Sequence, residues 1–249
     1  ATEPAWRQRF RMEAGLLAKA ESTAVMEIAT RLLPNLTPEE RAMLTRRETK
    51  SVVAFERFLR GEDAARERGS GYAARAAAFF GEAVAADSLY GAAHTARALA
   101  LLAMLEEGAR EAMANPDSVV RLAIRHAELA TAVDGTSPRA WSARGAALSF
   151  DKAQWKVARD ASAHANSLDK RDPEVAWQRG RVLLRIGQRR EAEDAFRAAL
   201  VQSPAFAPAL GELGDLALTE RNPDGACGWL NAAIAADPYR PIPYALRAI

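Results

Sequence analysis

The sequence predicts an all-α fold, a helical-repeat array with capping helices at its N-terminus. Three observations predict it. First, 57 of the 249 residues are alanine, the best helix former and a poor strand former. Second, small and apolar residues recur with a period of 34 along the C-terminal half. Third, capping side chains stand directly before a proline, as at Thr37-Pro38, Ser137-Pro138, Asp172-Pro173 and Asn222-Pro223. At such a pair the side-chain oxygen accepts an orphan backbone N–H, and proline at the first helical position loses nothing. Few segments are rich in Val, Ile, Thr and aromatics, as strands require, which argues against barrels, sandwiches and parallel-sheet enzymes. The hydrophobic fraction of 49% is enough to bury a core and argues against disorder.

In chain order, residues 1–50 read as an N-terminal cap. Helices are expected at about 5–20, 22–33 and 38–48, with Pro34-Asn35 as a break and Thr37 with Glu40 as a capping box. Leu16, Leu17, Ala20, Ala24, Ile28 and Leu32 have helical spacing and would pack this cap against the first repeat. The chain does not begin with Met and is expected to be a piece or a processed form of a longer protein. Its first residues are too charged for a signal peptide.

The period is clearest near the end. Gly180, Leu183, Gly187, Ala192, Phe196, Ala199 and Pro204 align, 34 residues on, with Gly214, Ala217, Arg221, Ala226, Leu230, Ala233 and Pro238. Only Arg221 breaks the match. Running backwards, Trp141, Gly145 and Leu148 open one unit, Ala98 and Leu101 another, and Gly61 the first. Between Ala98 and Gly145 lie 13 residues more than one period, around Leu102 to Asn115, which implies a lengthened first helix or an extra turn and loop. A smaller insertion falls near Gly69-Ser70-Gly71. Five units are expected, about 51–90, 91–137, 138–172, 173–206 and 207–240, with the start of a terminal helix after them.

A 34-residue helix–turn–helix unit with small residues at these offsets resembles the tetratricopeptide repeat family. That resemblance implies a right-handed superhelical array whose first helices line a concave binding surface. A narrower resemblance lies at the front. Leu36-Thr37-Pro38-Glu39-Glu40-Arg41-Ala42, with Ala54-Phe55-Glu56-Arg57-Phe58-Leu59-Arg60-Gly61, is similar to a junction of large bacterial signalling proteins. These are class III adenylate/guanylate cyclases and winged-helix transcriptional activators, in which an "LTPEE" segment leads into an "AYxxYLRG" helix that opens a repeat array. Phe55 and Phe58 depart from its tyrosines, and Ser88 from a usual proline. The resemblance implies a regulatory or interaction region, attached to a catalytic or DNA-binding domain that this segment does not contain.

No chemistry is written in the chain. Walker A, G-x-S-x-G and H-E-x-x-H patterns are absent. His94, His126 and His164 stand alone in sequence and read as partly exposed helix residues, with a site assembled in space as the alternative. Glu106-Glu107 and Glu39-Glu40 read as solvated faces. Cys227, the single cysteine, reads as a small packing position. The expectation is therefore no enzyme, no metal site and no cofactor. Basic and acidic residues are interspersed at a net charge of +2, without the Lys/Arg run of a nucleic-acid patch. No apolar run reaches the ~20 residues of a membrane span, so a soluble segment of cytoplasm or periplasm is expected.

Partner binding is the function class that remains. Family geometry turns certain first-helix positions toward the groove, and the resemblance carries these onto Glu62 and Arg66 (with Phe58), Arg139 and Ser142, Trp177, Arg181 and Arg185 (with Glu174), and Asp215 (with Thr219). Trp177, Arg181 and Arg185 are spaced by four and share one helix face. Trp and Arg are enriched at binding hot spots, and two guanidiniums suit an acidic side chain or a C-terminal carboxylate. The bland alternative makes Trp177 a core residue and both arginines solvated. Two other functions are weighed beside a peptide-binding scaffold. One is self-association through an apolar end holding Pro241, Ile242, Tyr244, Leu246 and Ile249. The other is a small-ligand sensor between the N-terminal helices and the insertion.

Overall fold

The computed structural model of the chain describes Thr37, residues 48–67 and residues 71–238. The expected N-terminal helices, Glu40 of the capping box, Gly69-Ser70 and the tail from Pro241 to Ile249 lie outside the described residues. Within them are eleven α-helices and no strand. They are α1 (Val52–Arg66), α2 (Tyr72–Ala86), α3 (Gly91–Glu106), α4 (Arg110–Ala114), α5 (Pro116–Val133), α6 (Pro138–Leu148), α7 (Trp155–Leu168), α8 (Pro173–Arg185), α9 (Arg189–Gln202), α10 (Ala207–Thr219) and α11 (Pro223–Ala236). A 3-10 turn, Lys152–Gln154, precedes α7.

The helices pack as antiparallel pairs: α1 with α2, α3 with α5, α6 with α7, α8 with α9, and α10 with α11. The second helix of each pair packs on the first helix of the next. First helices α3, α6 and α8 also touch one another and line the inside of a right-handed superhelix. Capping sets the entries. Ser137, Asp172 and Asn222 accept from the backbone N–H of Ala140, Glu174 and Gly225, each ahead of its proline, and Asn115-Pro116 opens α5 in the same way.

Small residues allow the close crossing within a pair. A methyl placed on Gly61 would lie 2.5 Å from the Phe80 ring, and one on Gly214 would lie 2.6 Å from Leu230. At Gly180 the Phe196 ring stands closer still, and at Gly145 the Ala158 carbonyl oxygen is 3.0 Å away. The second-helix alanines Ala192, Ala199 and Ala233 have no exposed surface. The alanine excess is thus a packing requirement, because helices meet here at distances that only small side chains permit.

Three of the first helices, α3, α8 and α10, end alike. Gly187 (φ 85°) and Gly108 (φ 66°) take the left-handed conformation after α8 and α3. After Gly187, the Gln188 N–H donates to the Leu183 carbonyl at 2.8 Å, a Schellman C-cap. Arg221, the position that breaks the 34-residue pattern, adopts φ 58° at the same place after α10. There the Asn222 N–H donates to the Ala217 carbonyl at 3.0 Å. The cap is retained and a side chain carries the strain.

The insertion combines both expected forms. Helix α3 extends to 16 residues, turns at Gly108, and is followed by the five-residue α4 before Asn115 caps α5. Cys227 corrects the expectation made for it. It is exposed on α11, its sulfur accepting from Asn231 Nδ2 at 3.3 Å. The buried face of that helix is Ala226, Leu230 and Ala233, and Cys227 lies about 100° around the helix from Ala226.

These contacts predict the stability of three variants. Gly180→Ala should destabilise the array, since an overpacking cost of roughly 1–3 kcal/mol outweighs the ~1 kcal/mol helix gain of alanine. Gly228→Ala, in exposed α11 with nothing within 4 Å of the new methyl, should stabilise it by about 0.5–1 kcal/mol. Arg221→Gly should raise stability by about 1 kcal/mol by relieving the left-handed strain. Chemical denaturation of the three variants measures all of these.

Candidate functional site

The concave face forms a groove of 2210 Å³ running from α1 to α10. Its walls come mainly from the first helices and the turn after α3, with residues of α2 and the end of α5. Of the expected contact residues, Glu62, Arg66, Arg139, Ser142, Trp177, Arg181 and Arg185 line it, as do Phe58 and Glu174. Asp215 and Thr219 sit on α10 and are not among the lining residues.

Trp177, Arg181 and Arg185 do share one face, and the structure adds what the sequence did not reveal. Glu106, at the end of the lengthened α3, reaches across and accepts from both guanidiniums, from Arg181 Nη2 and from Arg185 Nη2 at 3.0 Å. Arg181 Nε also faces Glu212 of α10 at 3.6 Å. Each guanidinium covers an aromatic ring: Arg181 lies 5.0 Å from the centroid of Trp177, and Arg185 lies 3.7 Å from that of Phe150. One cluster therefore ties α3, α8 and α10 together. The reading of Glu106 as a solvated face is corrected accordingly. Trp177 is half-buried. It packs against the core of the last two pairs, edge-on to Phe206, while its ring also lines the groove.

The other arginines named for the groove are paired as well. Arg139 meets Asp172 at 3.4 Å, and Arg66 meets Glu62 at 3.2 Å and Asp63 at 3.4 Å. Ser142 is buried on α6, and neither its Oγ nor Trp177 Nε1 has a hydrogen-bond partner among the described residues. Burial pushes the Glu174 carboxyl above the usual carboxylate range, opposed by Gln178 Nε2 donating to it.

Two histidines correct their expectation. His94 and His126, 32 residues apart in sequence, are buried together with Nδ1 to Nδ1 at 2.8 Å. His94 Nε2 lies 3.0 Å from the Ser88 carbonyl oxygen and must donate to it. His94 Nδ1 is then the acceptor and His126 Nδ1 the donor. Burial, with the charges of Arg97, His94 and Arg125 in support, lowers His126 to about 4, and burial also lowers His94. His164 is exposed, edge-on to Trp141. No signal in the sequence links His94 to His126, because the insertion between them breaks the frame. Among the described residues no group of three or more His, Cys, Asp and Glu is arranged to hold a metal ion, and no helix is long and apolar enough to cross a membrane.

Two measurements test this geometry. Unfolded histidine takes up its proton near 6.5, while His126 in the fold does so near 4. Between those values the unfolded chain binds more protons, so stability should fall as pH drops from about 6.5 toward 4 and stay level above it. Imidazole NMR should show one ring neutral down to about pH 4, and His126→Gln should flatten the stability profile. Glu106→Gln should cost up to about 1 kcal/mol, as expected for partly exposed pairs. A double-mutant cycle with Arg181→Gln should then show the two effects to be non-additive.

Residues 178–241 match the tetratricopeptide repeat family model. Among solved structures, TTC0263, a thermophilic TPR protein of Thermus thermophilus, has a TM-score of 0.62 at 17% identity. The match covers 79% of this chain and 100% of that one. YrrB, described as a TPR protein with an unusual peptide-binding site, matches at 20% identity and a TM-score of 0.46, over 86% of this chain and 99% of that one. MamA from Desulfovibrio magneticus RS-1 matches at 12% identity and 0.46, over 78% and 99%. No curated protein sequence matches the chain.

Proposed function

We propose that this chain, which belongs to the tetratricopeptide repeat family, is a scaffold that holds a protein or peptide segment in its concave groove. The carrying observation is the groove itself: a concave volume of 2210 Å³, lined mainly by the first helices of successive pairs and by the turn after α3. An extended peptide fits such a surface, since each repeat presents the same face to successive residues of the ligand. The proposed contact residues are Trp177, Arg181, Arg185, Arg139, Ser142, Glu62 and Arg66. Asp215 is left outside the contact surface. The reading divides the array into five repeats, about 51–90, 91–137, 138–172, 173–206 and 207–240, and five helix pairs support that division. The front resemblance at residues 36–42 and 54–61 extends the proposal to a regulatory arm of a larger signalling protein.

Selection of binders from a random-peptide display library tests the groove. Ala96 is half-buried on α3 and lines the groove, so Ala96→Trp should weaken selected peptides at least about tenfold by filling it. Val201, 77% exposed on α9 and outside the lining, should tolerate the same change without loss. Equal binding by both variants, or no binders at all, would count against the groove. In the latter case, light scattering over a concentration series would establish whether the chain self-associates instead.

A further inference from the structure

The charge of the groove runs against that of the chain. Its described lining residues include eleven carboxylates and five guanidiniums, a formal −6. The whole chain carries +2, which leaves +8 on the remaining residues. The acidic excess extends along the whole groove, from Glu62 at α1 through Glu107 and Glu111 on the insertion to Glu174 and Glu212 at α8 and α10. Four of the five arginines are ion-paired within the structure, with carboxylates of this same surface. The two guanidiniums that the sequence offers to an acidic ligand already share Glu106. A carboxylate arriving in the groove would have to displace it and would meet a surplus of like charge.

Arg181 and Arg185 instead show how this surface holds a cation. Each guanidinium lies over an aromatic face with a carboxylate at its edge: Arg181 on Trp177 with Glu106 and Glu212, and Arg185 on Phe150 with Glu106. Aromatic faces and carboxylates attract a guanidinium together, more strongly where water is partly excluded. The same ingredients continue toward α1, where Phe58 lines the groove near Glu62, with the apolar side chain of Leu99 on α3 between that end and Glu106. Concave surfaces of one sign focus their field and draw the opposite charge.

We infer that the groove selects a cationic segment, an extended peptide with Arg or Lys side chains spaced by small or apolar residues. This inference rests on the groove being the binding surface, and it names the ligand's chemistry. It also places phosphate backbones and acidic peptides among the ligands that the surface repels.

The test uses the chain as it is and two fluorescein-labelled probes, three repeats of Arg-Ala-Leu-Ala and three repeats of Glu-Ala-Leu-Ala. Fluorescence anisotropy should show the cationic probe bound at least about tenfold more tightly. That order opposes the one expected from the chain's net positive charge. Binding should weaken as NaCl rises from about 50 mM to about 500 mM, as screening requires. Glu107→Lys with Glu111→Lys changes two exposed side chains and moves the lining from −6 to −2. It should weaken the cationic probe about tenfold, and a circular-dichroism melt would verify that it folds. Ala96→Trp should also weaken the probe.

Tighter binding of the acidic probe, lost in Ala96→Trp, would overturn the cationic inference and leave the groove standing. Cationic binding that neither variant affects would overturn it too, by placing the contact elsewhere. If neither probe binds while library peptides do so in the groove, the charge assignment is wrong. If library peptides also fail, the groove reading falls with it.

Discussion

The array depends on one repeated contact, the crossing of two helices at a residue with no room for a side chain. Gly61 against Phe80, Gly180 against Phe196 and Gly214 against Leu230 are versions of the same contact, and Gly145 against the Ala158 backbone is a fourth. Close approach lets alanine fill the rest of each interface, and the fully buried set is mostly alanine. A methyl group buries little apolar area, on the order of 0.8 kcal/mol per carbon. A single pair therefore gains little on its own, and each pair leans on its neighbours. That dependence fixes the geometry of function. The second helices pack on neighbouring pairs, and the first helices supply most of the inward-facing groove, with α2 and the end of α5 contributing to its wall.

This contact explains why the fold is legible in the sequence. A crossing that admits only Gly or Ala leaves a mark at a fixed spacing, and the fully buried Phe196 and Leu230 leave another. The one mismatch, Arg221, is informative for the same reason. Its counterpart Gly187 serves a backbone conformation, and Arg221 adopts that conformation at φ 58°. Cys227 is misplaced when small size is read as a sign of burial, because its angular position on α11 decides the matter. Size at a site is a weaker signal than phase along a helix.

The groove is only half legible. Phase along the first helices brings Trp177, Arg181 and Arg185 to one face, but phase does not say which other charges converge there. Glu106 is 75 residues from Arg181 and sits in the insertion, outside the repeat frame. The His94–His126 pair is hidden likewise, because the insertion falls between its members. Residues that obey the period can be placed by arithmetic. Those that depart from it are placed by the superhelix, and they change the sign of the conclusion. Two arginines alone suggest an acidic ligand. Together with Glu106 and Glu212, they are part of an acidic surface.

The insertion therefore acts as more than a spacer. By lengthening α3 it carries Glu106 across to α8, and through Arg181 the cluster extends to Glu212 of α10. Three first helices that would otherwise meet mainly through their neighbours are joined across the open face. In the proposed binding, a groove held in this way would give up less conformational entropy, because its walls are already tied to one another. The same segment adds Glu107 and Glu111 to the lining and so deepens the negative field. Both effects come from residues that do not fit the 34-residue period. In a fold whose repeats are nearly interchangeable, the irregular segment both braces this groove and adds to a negative charge that the rest of the lining already carries.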